Sequence, residues 1–253
     1  MELTAVRGII TGAARGLGQA FAVELLQAGA QVTVGDINER GLKSLAAATT
    51  GLPGRLAAHK LDVTQETSVS EFVRYAADQM SYINVLVNNA GILRDGHLAN
   101  PENGWVKKLP TSQWQQVLDV NLTGPFLMTR EVINDCLSRR VSPVVVVNIS
   151  SVSSAGNPGQ SNYSASKAGL DSLARTWAIE LAPFGVRVGG IAPGVIDTPI
   201  LHGISPEVLH NLQQSIPLRR IGTPYEVWLA LKFIIECDYF TGRTLAVDGG
   251  LTF

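Results

Sequence analysis

Arg7-Gly8-Ile9-Ile10-Thr11-Gly12-Ala13-Ala14-Arg15-Gly16-Leu17-Gly18 decides the fold, because an apolar strand runs into a glycine-rich turn and then opens a helix. Gly12, Gly16 and Gly18 permit a tight turn and a close approach of backbone to a pyrophosphate, while the helix start offers free N–H groups and a favourable dipole. Such a loop alone also marks ordinary turns. Asp36 adds the second signal, closing the next apolar stretch about twenty residues downstream. A carboxylate there accepts hydrogen bonds from both ribose hydroxyls of NAD and repels the 2′-phosphate of NADP, so NAD(H) is the preferred cofactor. Arg15 keeps NADP(H) open, since a guanidinium in the loop could reach that phosphate.

Outward from this loop, short apolar runs alternate with stretches of helical periodicity. Strands are expected at Arg7–Thr11, Gln31–Asp36, Leu56–Asp62, Val85–Asn88, Pro143–Ile149, Arg187–Ala192 and Thr244–Val247. Helices are expected at Gly18–Gln27, Val69–Gln79, Ser112–Arg139, Tyr163–Leu181, Pro206–Gln214 and Tyr225–Ile235. The pattern specifies an α/β fold of Rossmann type, a doubly wound seven-stranded parallel sheet with helices on both faces, in one domain over residues 1–253. Val144-Val145-Val146-Val147 reads as a strand covered on both sides.

With 45% hydrophobic and 16% charged residues the chain can bury a large core. A net charge of −1 leaves no basic surplus for nucleic acid, which directs attention to a small-molecule substrate. Cys136 and Cys237 are too few for a disulfide framework and lack zinc spacing, so no metal is expected and both read as packing thiols. The sequence shows no signal-like start and no apolar run of membrane-spanning length, giving a cytosolic reading with no membrane partner.

Tyr163 and Lys167 stand four apart near a helix start and share one face. A phenol titrates near ~10, and an adjacent ammonium is expected to lower that value and make Tyr163 a usable proton donor. Ser151 follows the valine strand, at the carboxyl end of the sheet where open α/β folds hold ligands. Its hydroxyl could donate to a carbonyl oxygen as negative charge develops.

Taken together, Thr11 to Gly18, Asp62-Val63, Asn88-Asn89-Ala90-Gly91, Asn121, Ser151, Tyr163-Ser-Ala-Ser-Lys167, Pro193-Gly194 and Asp248-Gly249-Gly250 resemble the short-chain dehydrogenase/reductase family in order and over the whole chain. The resemblance implies Asn121, Ser151, Tyr163 and Lys167 as the catalytic set. It implies Gly12, Arg15 and Leu17 around the pyrophosphate, Asp62 and Val63 beside adenine, and Asn89, Ala90 and Gly91 along the centre of the cofactor. Lys167 would also hold the nicotinamide ribose, Asn121 would help hold a water between Lys167 and solvent, and Pro193, Gly194, Ile196 and Thr198 would grip the carboxamide. A homotetramer paired through the helices Ser112–Arg139 and Tyr163–Leu181 is implied too, with Leu251-Thr252-Phe253 buried against a neighbour.

The chemistry that follows is hydride transfer between NAD(H) and a ketone or secondary alcohol. Within the family the chain is most similar to 3-oxoacyl-(acyl-carrier-protein) reductases, through Asn88 to Asp95, Asn157 to Tyr163 and Pro217 to Gly222, which makes an acyl thioester a candidate substrate. An NAD-dependent dehydrogenase of a polyol, sugar or hydroxysteroid is the alternative, and a non-catalytic NAD-binding regulator is a third reading. Two departures stand out. Residues 98–110 lengthen the connection before Asn121, placing Trp105, Lys107 and Lys108 near the substrate mouth in an expected loop. Gly189-Gly190 replaces the family's asparagine, removing a tie between strands. His202 reads as a surface histidine, and Trp114, Trp177 and Trp228 as packing residues.

Overall fold

Every residue of Val144–Ile149 is buried, as a β-branched strand with cover on both faces requires. The computed structural model describes residues 1–102, 105–199, 201 and 205–252. In chain order they form β1 (Arg7–Thr11), α1 (Gly16–Gln27), β2 (Gln31–Asp36), α2 (Glu39–Ala48), β3 (Arg55–Lys60), α3 (Glu66–Met80) and β4 (Val85–Asn88). Next come β5 (Ala99–Glu102), β6 (Trp105–Lys108), α4 (Thr111–Leu118), α5 (Gly124–Arg139), β7 (Val144–Ile149) and α6 (Ser161–Leu181). The last elements are β8 (Val186–Pro193), α7 (Pro206–Ser215), α8 (Pro224–Glu236) and β9 (Arg243–Val247).

The large sheet runs β3-β2-β1-β4-β7-β8-β9 with every pairing parallel, so the seven-stranded doubly wound sheet expected from the sequence is the one observed. Alternation along β7 divides the core. Val145 and Val147 face Phe21 and Leu25 of α1 and Leu231 and Ile234 of α8. Val144 and Val146 face Phe72 of α3, Met128 and Val132 of α5, and Trp177 of α6.

Three features differ from the sequence reading. Helix α2 was not anticipated, because Gly41 in its first turn hides the periodicity. Asn38 caps it by accepting from the Gly41 N–H at 3.1 Å, and Leu42 and Leu45 seat it on the sheet. The glycine is required by packing, since a Cβ there would stand 2.6 Å from the Ala14 Cβ.

The expected helix Ser112–Arg139 is divided by one π-helical turn at Asp119–Thr123, centred on Asn121. A helical insertion of this kind re-aims side chains and recurs at functional sites. The expected loop 98–110 is instead an antiparallel hairpin of β5 and β6, with Ala99 opposite Lys108 and Asn100 opposite Lys107. Trp105 on it is 62% exposed, so it does not pack as a loop tryptophan would.

The missing strand tie at Gly189 is made good by neighbours. A Cβ there would meet Phe240 at 3.0 Å and Ile234 at 3.1 Å, so those side chains occupy the space. Arg187 donates to the carbonyls of Ile234 and Phe240 at 2.8 and 3.0 Å, and Thr244 donates to Asp171 at 2.9 Å beside Gly190. Trp177 and Trp228 are buried and Trp114 half-buried, in keeping with packing roles. His202 and Phe253 lie outside the described residues.

Candidate active site

The turn from β1 to α1 lies at the carboxyl end of the sheet, where strand order reverses between β1 and β4. Gly12 has φ +66°, and a Cβ there would stand 2.7 Å from the Ala90 Cα. The two segments are stitched together. Asn89 Nδ2 donates to the carbonyls of Thr11 and Gly12 at 3.0 and 2.9 Å, while Thr11 Oγ1 accepts from the N–H groups of Asn89 and Ala90 at 3.1 and 3.0 Å.

Helix α1 has no side-chain cap and no acid in its first turn, which leaves its N–H groups for an anion. Asp36 accepts from the Ala14 N–H at 3.0 Å and the Asn38 N–H at 2.9 Å, so its carboxylate is held against the loop. Asp62 accepts from Thr64 N–H and Oγ1 at 3.0 and 2.7 Å, and Val63 is buried beside Gly124. The backbone cradle, bare helix start and fixed carboxylate fit a dinucleotide.

Other expected cofactor residues gather on the same side. The Thr198 Cβ is 3.8 Å from where a Cβ of Gly16 would stand, and Gly194, donating to the Val247 carbonyl at 2.9 Å, continues from Pro193 at the end of β8. Ile196 is buried and bridges to Gly222. Arg15 is exposed. The Leu17 side chain instead packs against the α1 side of the core, so only its backbone is left to face a phosphate.

Ser151 follows β7 and caps the short 3-10 turn Val152–Ala155, its Oγ accepting from the Ser153 N–H at 3.1 Å. That bond occupies a lone pair and leaves the hydroxyl proton free to donate. Lys167 lies one turn along α6 from Tyr163, with Nζ 5.5 Å from the tyrosine ring centroid. Its Nζ donates to the Ile149 carbonyl at 2.6 Å. Asn121 is fully buried. It accepts from the Ile92 N–H at 2.8 Å and donates to the Ile92 carbonyl at 3.0 Å, holding the π-turn against the strand-end loop. Gly91 lies between them, its Cβ position 3.5 Å from Asn121 Oδ1 and 3.7 Å from Lys167 Nζ.

The electrostatics correct one expectation. Burial pushes the Tyr163 phenol above its ordinary value, the Ser151 hydroxyl pulls it down, and the Asp95 carboxylate pushes it up again. The chain's own environment therefore keeps the phenol protonated, rather than lowering it through Lys167. Burial also brings Lys167 down to about 8, against a smaller upward pull from Asp171, which weakens the ammonium's hold on its neighbour.

Sequence reading missed the residues that fix the mouth of the site. Gln113 Nε2 donates to the carbonyls of Arg94 and Asp95 at 2.7 and 3.0 Å, and Asn162 Nδ2 donates to the Arg94 carbonyl at 3.0 Å. Gly96 donates to the Gly159 carbonyl at 2.8 Å, and the Leu109 N–H to the Leu98 carbonyl at 3.1 Å, so the hairpin rises from this mouth. Polar side chains in the first turn of a helix, as Gln113 in α4 and Asn162 in α6, carry only a generic capping signal in sequence.

Fold and site define a dinucleotide-binding oxidoreductase. A family model described as enoyl-(acyl carrier protein) reductase matches residues 12–252. The chain is similar to a 3-oxoacyl-(acyl-carrier-protein) reductase of Thermotoga maritima, 39% identical over 246 residues and 96% of each chain. It is also similar to a 3-oxoacyl-(acyl-carrier-protein) reductase of Synechocystis, 37% identical over 254 residues and 98% of each. A crystal structure of a short-chain type dehydrogenase/reductase from Mycobacterium marinum superposes with a TM-score of 0.90 at 28% identity, covering 99% of this chain and 97% of the other. The chain belongs to the short-chain dehydrogenase/reductase family and uses a nicotinamide cofactor.

Proposed function

We propose that residues 1–253 act as one domain, an NADH-dependent ketone reductase whose substrate is a 3-oxoacyl thioester carried on an acyl carrier protein. The carrying observation is the gathering of Ser151, held by the Ser153 N–H at the end of β7, with Tyr163 and the buried Lys167, whose Nζ lies 5.5 Å from the tyrosine ring. Two hydroxyl donors at one point suit an oxygen that gains negative charge. A phenol held above its ordinary value is a proton donor at neutral pH, which favours reduction over oxidation of a polyol, sugar or hydroxysteroid.

When bound, NADH supplies the hydride. Gly12, Gly16, Leu17 and Gly18 present backbone to the pyrophosphate, and Asn89 to Gly91 line the centre of the cofactor. Pro193, Gly194, Ile196 and Thr198 take the carboxamide end. Tyr163 transfers its proton to the ketone oxygen while Ser151 holds that oxygen. Lys167 orients the nicotinamide ribose and returns a proton to Tyr163, and Asn121 fixes the turn beside it. Similarity to the 3-oxoacyl-(acyl-carrier-protein) reductases of Thermotoga maritima and Synechocystis supports the thioester substrate.

NADH over NADPH rests on Asp36, already fixed by two backbone N–H groups where a 2′-phosphate would come. Arg15 is exposed and is the group that would favour NADPH. A homotetramer through α5 and α6 is supported by exposed apolar side chains there, Phe126 on α5 and Ile179 on α6. A cytoplasmic setting is supported by two free cysteines, and among the described residues no helix is long and apolar enough to cross a membrane.

Initial rates with acetoacetyl, crotonyl and diol substrates, each with both cofactors, test the reading. NADH-driven reduction of the acetoacetyl thioester, lost in Tyr163→Phe while NADH binding persists, is the expected result. Preference for the crotonyl thioester, for NADPH, or full activity in Tyr163→Phe overturns it. Light scattering checks the tetramer.

A further inference from the structure

A chain of polar contacts runs along the substrate mouth from Asp95 to Ser151. Gln160 Nε2 donates to Asp95 Oδ2 at 3.2 Å. Asn157 Nδ2 donates to Gln160 Oε1 at 3.0 Å and to Ser153 Oγ at 3.4 Å. Ser153 N–H then donates to Ser151 Oγ at 3.1 Å. Both ends of the Gln160 amide are thus engaged, one by the loop after β4 and one by the turn after β7.

The backbone at Arg94 and Asp95 is held from two helices. Gln113 on α4 donates to its carbonyl at 3.0 Å, and Asn162 on α6 donates to that of Arg94 at 3.0 Å. Gly96 next to it pairs with Gln160 as an isolated parallel bridge. An exposed carboxylate on a loop fixed this firmly is a rigid anchor rather than a solvated charge.

We propose that Asp95 is a positioning residue for the ketone reduction, acting through Gln160 and Asn157 to fix the Val152–Ala155 turn and so the direction of the Ser151 hydroxyl. This rests on the reductase reading above. The same carboxylate bears on Tyr163, opposing its ionisation. Among the described residues, the other charged and hydroxyl groups that bear on Tyr163 are the Ser151 hydroxyl from the β7 turn and the Lys167 ammonium on its own helix, whose charge Asp171 favours. Asp95 therefore has two separable effects, one through hydrogen bonding and one through charge.

The experiment is steady-state reduction of an acetoacetyl thioester by wild type, D95N, D95A, Q160A and D95A/Q160A from pH 6 to about pH 11.5, a range that reaches past the ordinary phenol value. D95A and Q160A each lower kcat by about tenfold with KM nearly constant, because Ser151 acts on charge that develops in the transition state. The double variant is no slower than the singles, since both cut one chain of contacts. D95N keeps an acceptor for Gln160 and loses less than about threefold in kcat, yet its alkaline limb moves acidic by about half a pH unit. The sign follows from charge: without the carboxylate the phenol ionises at lower pH, and reduction needs the protonated phenol. Additive losses in the double variant, a D95A rate equal to wild type, or an unmoved limb in D95N overturn the proposal. An inactive wild type overturns the reductase reading itself, and this proposal with it.

Discussion

Replacing Lys167 by methionine stabilises the protein while abolishing turnover. The ammonium is buried to 4% exposure and its titration falls from 10.5 to about 8 because burial disfavours its charge. At ~1.4 kcal/mol for each tenfold, holding that charge at neutral pH costs roughly 3 kcal/mol. Methionine fills the same length of apolar space, but it removes the 2.6 Å bond to the Ile149 carbonyl, worth about 1–2 kcal/mol. The net gain at pH 7 is therefore about 1–2 kcal/mol, or about 2–8 °C in Tm for a chain of this size.

The pH dependence fixes the cause. Here a cation has a lower pKa folded than unfolded, so between about 8 and 10.5 the unfolded chain binds the extra proton and wild-type stability rises with pH. The destabilisation is complete below about 8 and relieved by 10.5, and the variant lacks it altogether. Urea melts of both proteins at pH 7 and pH 10, without cofactor, read the difference directly. A variant less stable than wild type at pH 7, or a stability gap that is the same at both pH values, refutes the reasoning.

Three further outcomes follow from other contacts. Gly12→Ala places a methyl 2.7 Å from the Ala90 Cα at a positive φ, so NADH binding measured by fluorescence weakens at least tenfold and Tm falls by several degrees. Cys136, whose thiol burial pushes up to about 12, resists iodoacetamide at pH 8 while half-buried Cys237 reacts, and mass spectrometry of the native protein shows one adduct rather than two. Replacing residues 99–108 by a short glycine link shifts Tm by no more than about 2 °C, because Trp105, Val106, Lys107 and Lys108 are all exposed and a lone hairpin adds little stability.

The seven strands and their order of burial were legible because each depends on a local run of apolar residues, and Val144 to Val147 announces a doubly covered strand by composition alone. The glycine loop was legible for a related reason: a positive φ at Gly12 and Gly16 is a property of single positions. What escaped depends on partners distant in sequence. Gly41 looks like a helix breaker until Ala14 is placed against it, and the π-turn at Asn121 exists because Ile92, 29 residues away, takes both ends of its amide.

The candidate site shows the same division. Tyr163 and Lys167 are brought together by helical spacing alone, so their meeting was readable, but their proton affinities were not. The ammonium was expected to draw the phenol down, whereas the fold buries both and adds a carboxylate from the loop after β4. Burial acts against charge on either group, pushing the phenol up from 10.0 and the ammonium down from 10.5 to about 8, so their proton affinities move apart. The ammonium is then the stronger acid of the two, so a proton passes downhill from Lys167 to a Tyr163 that has given up its own, which is the direction a refilling partner needs. The instability predicted for Lys167 and the prompt refilling of Tyr163 are then one consequence of burying a lysine and a tyrosine one helical turn apart.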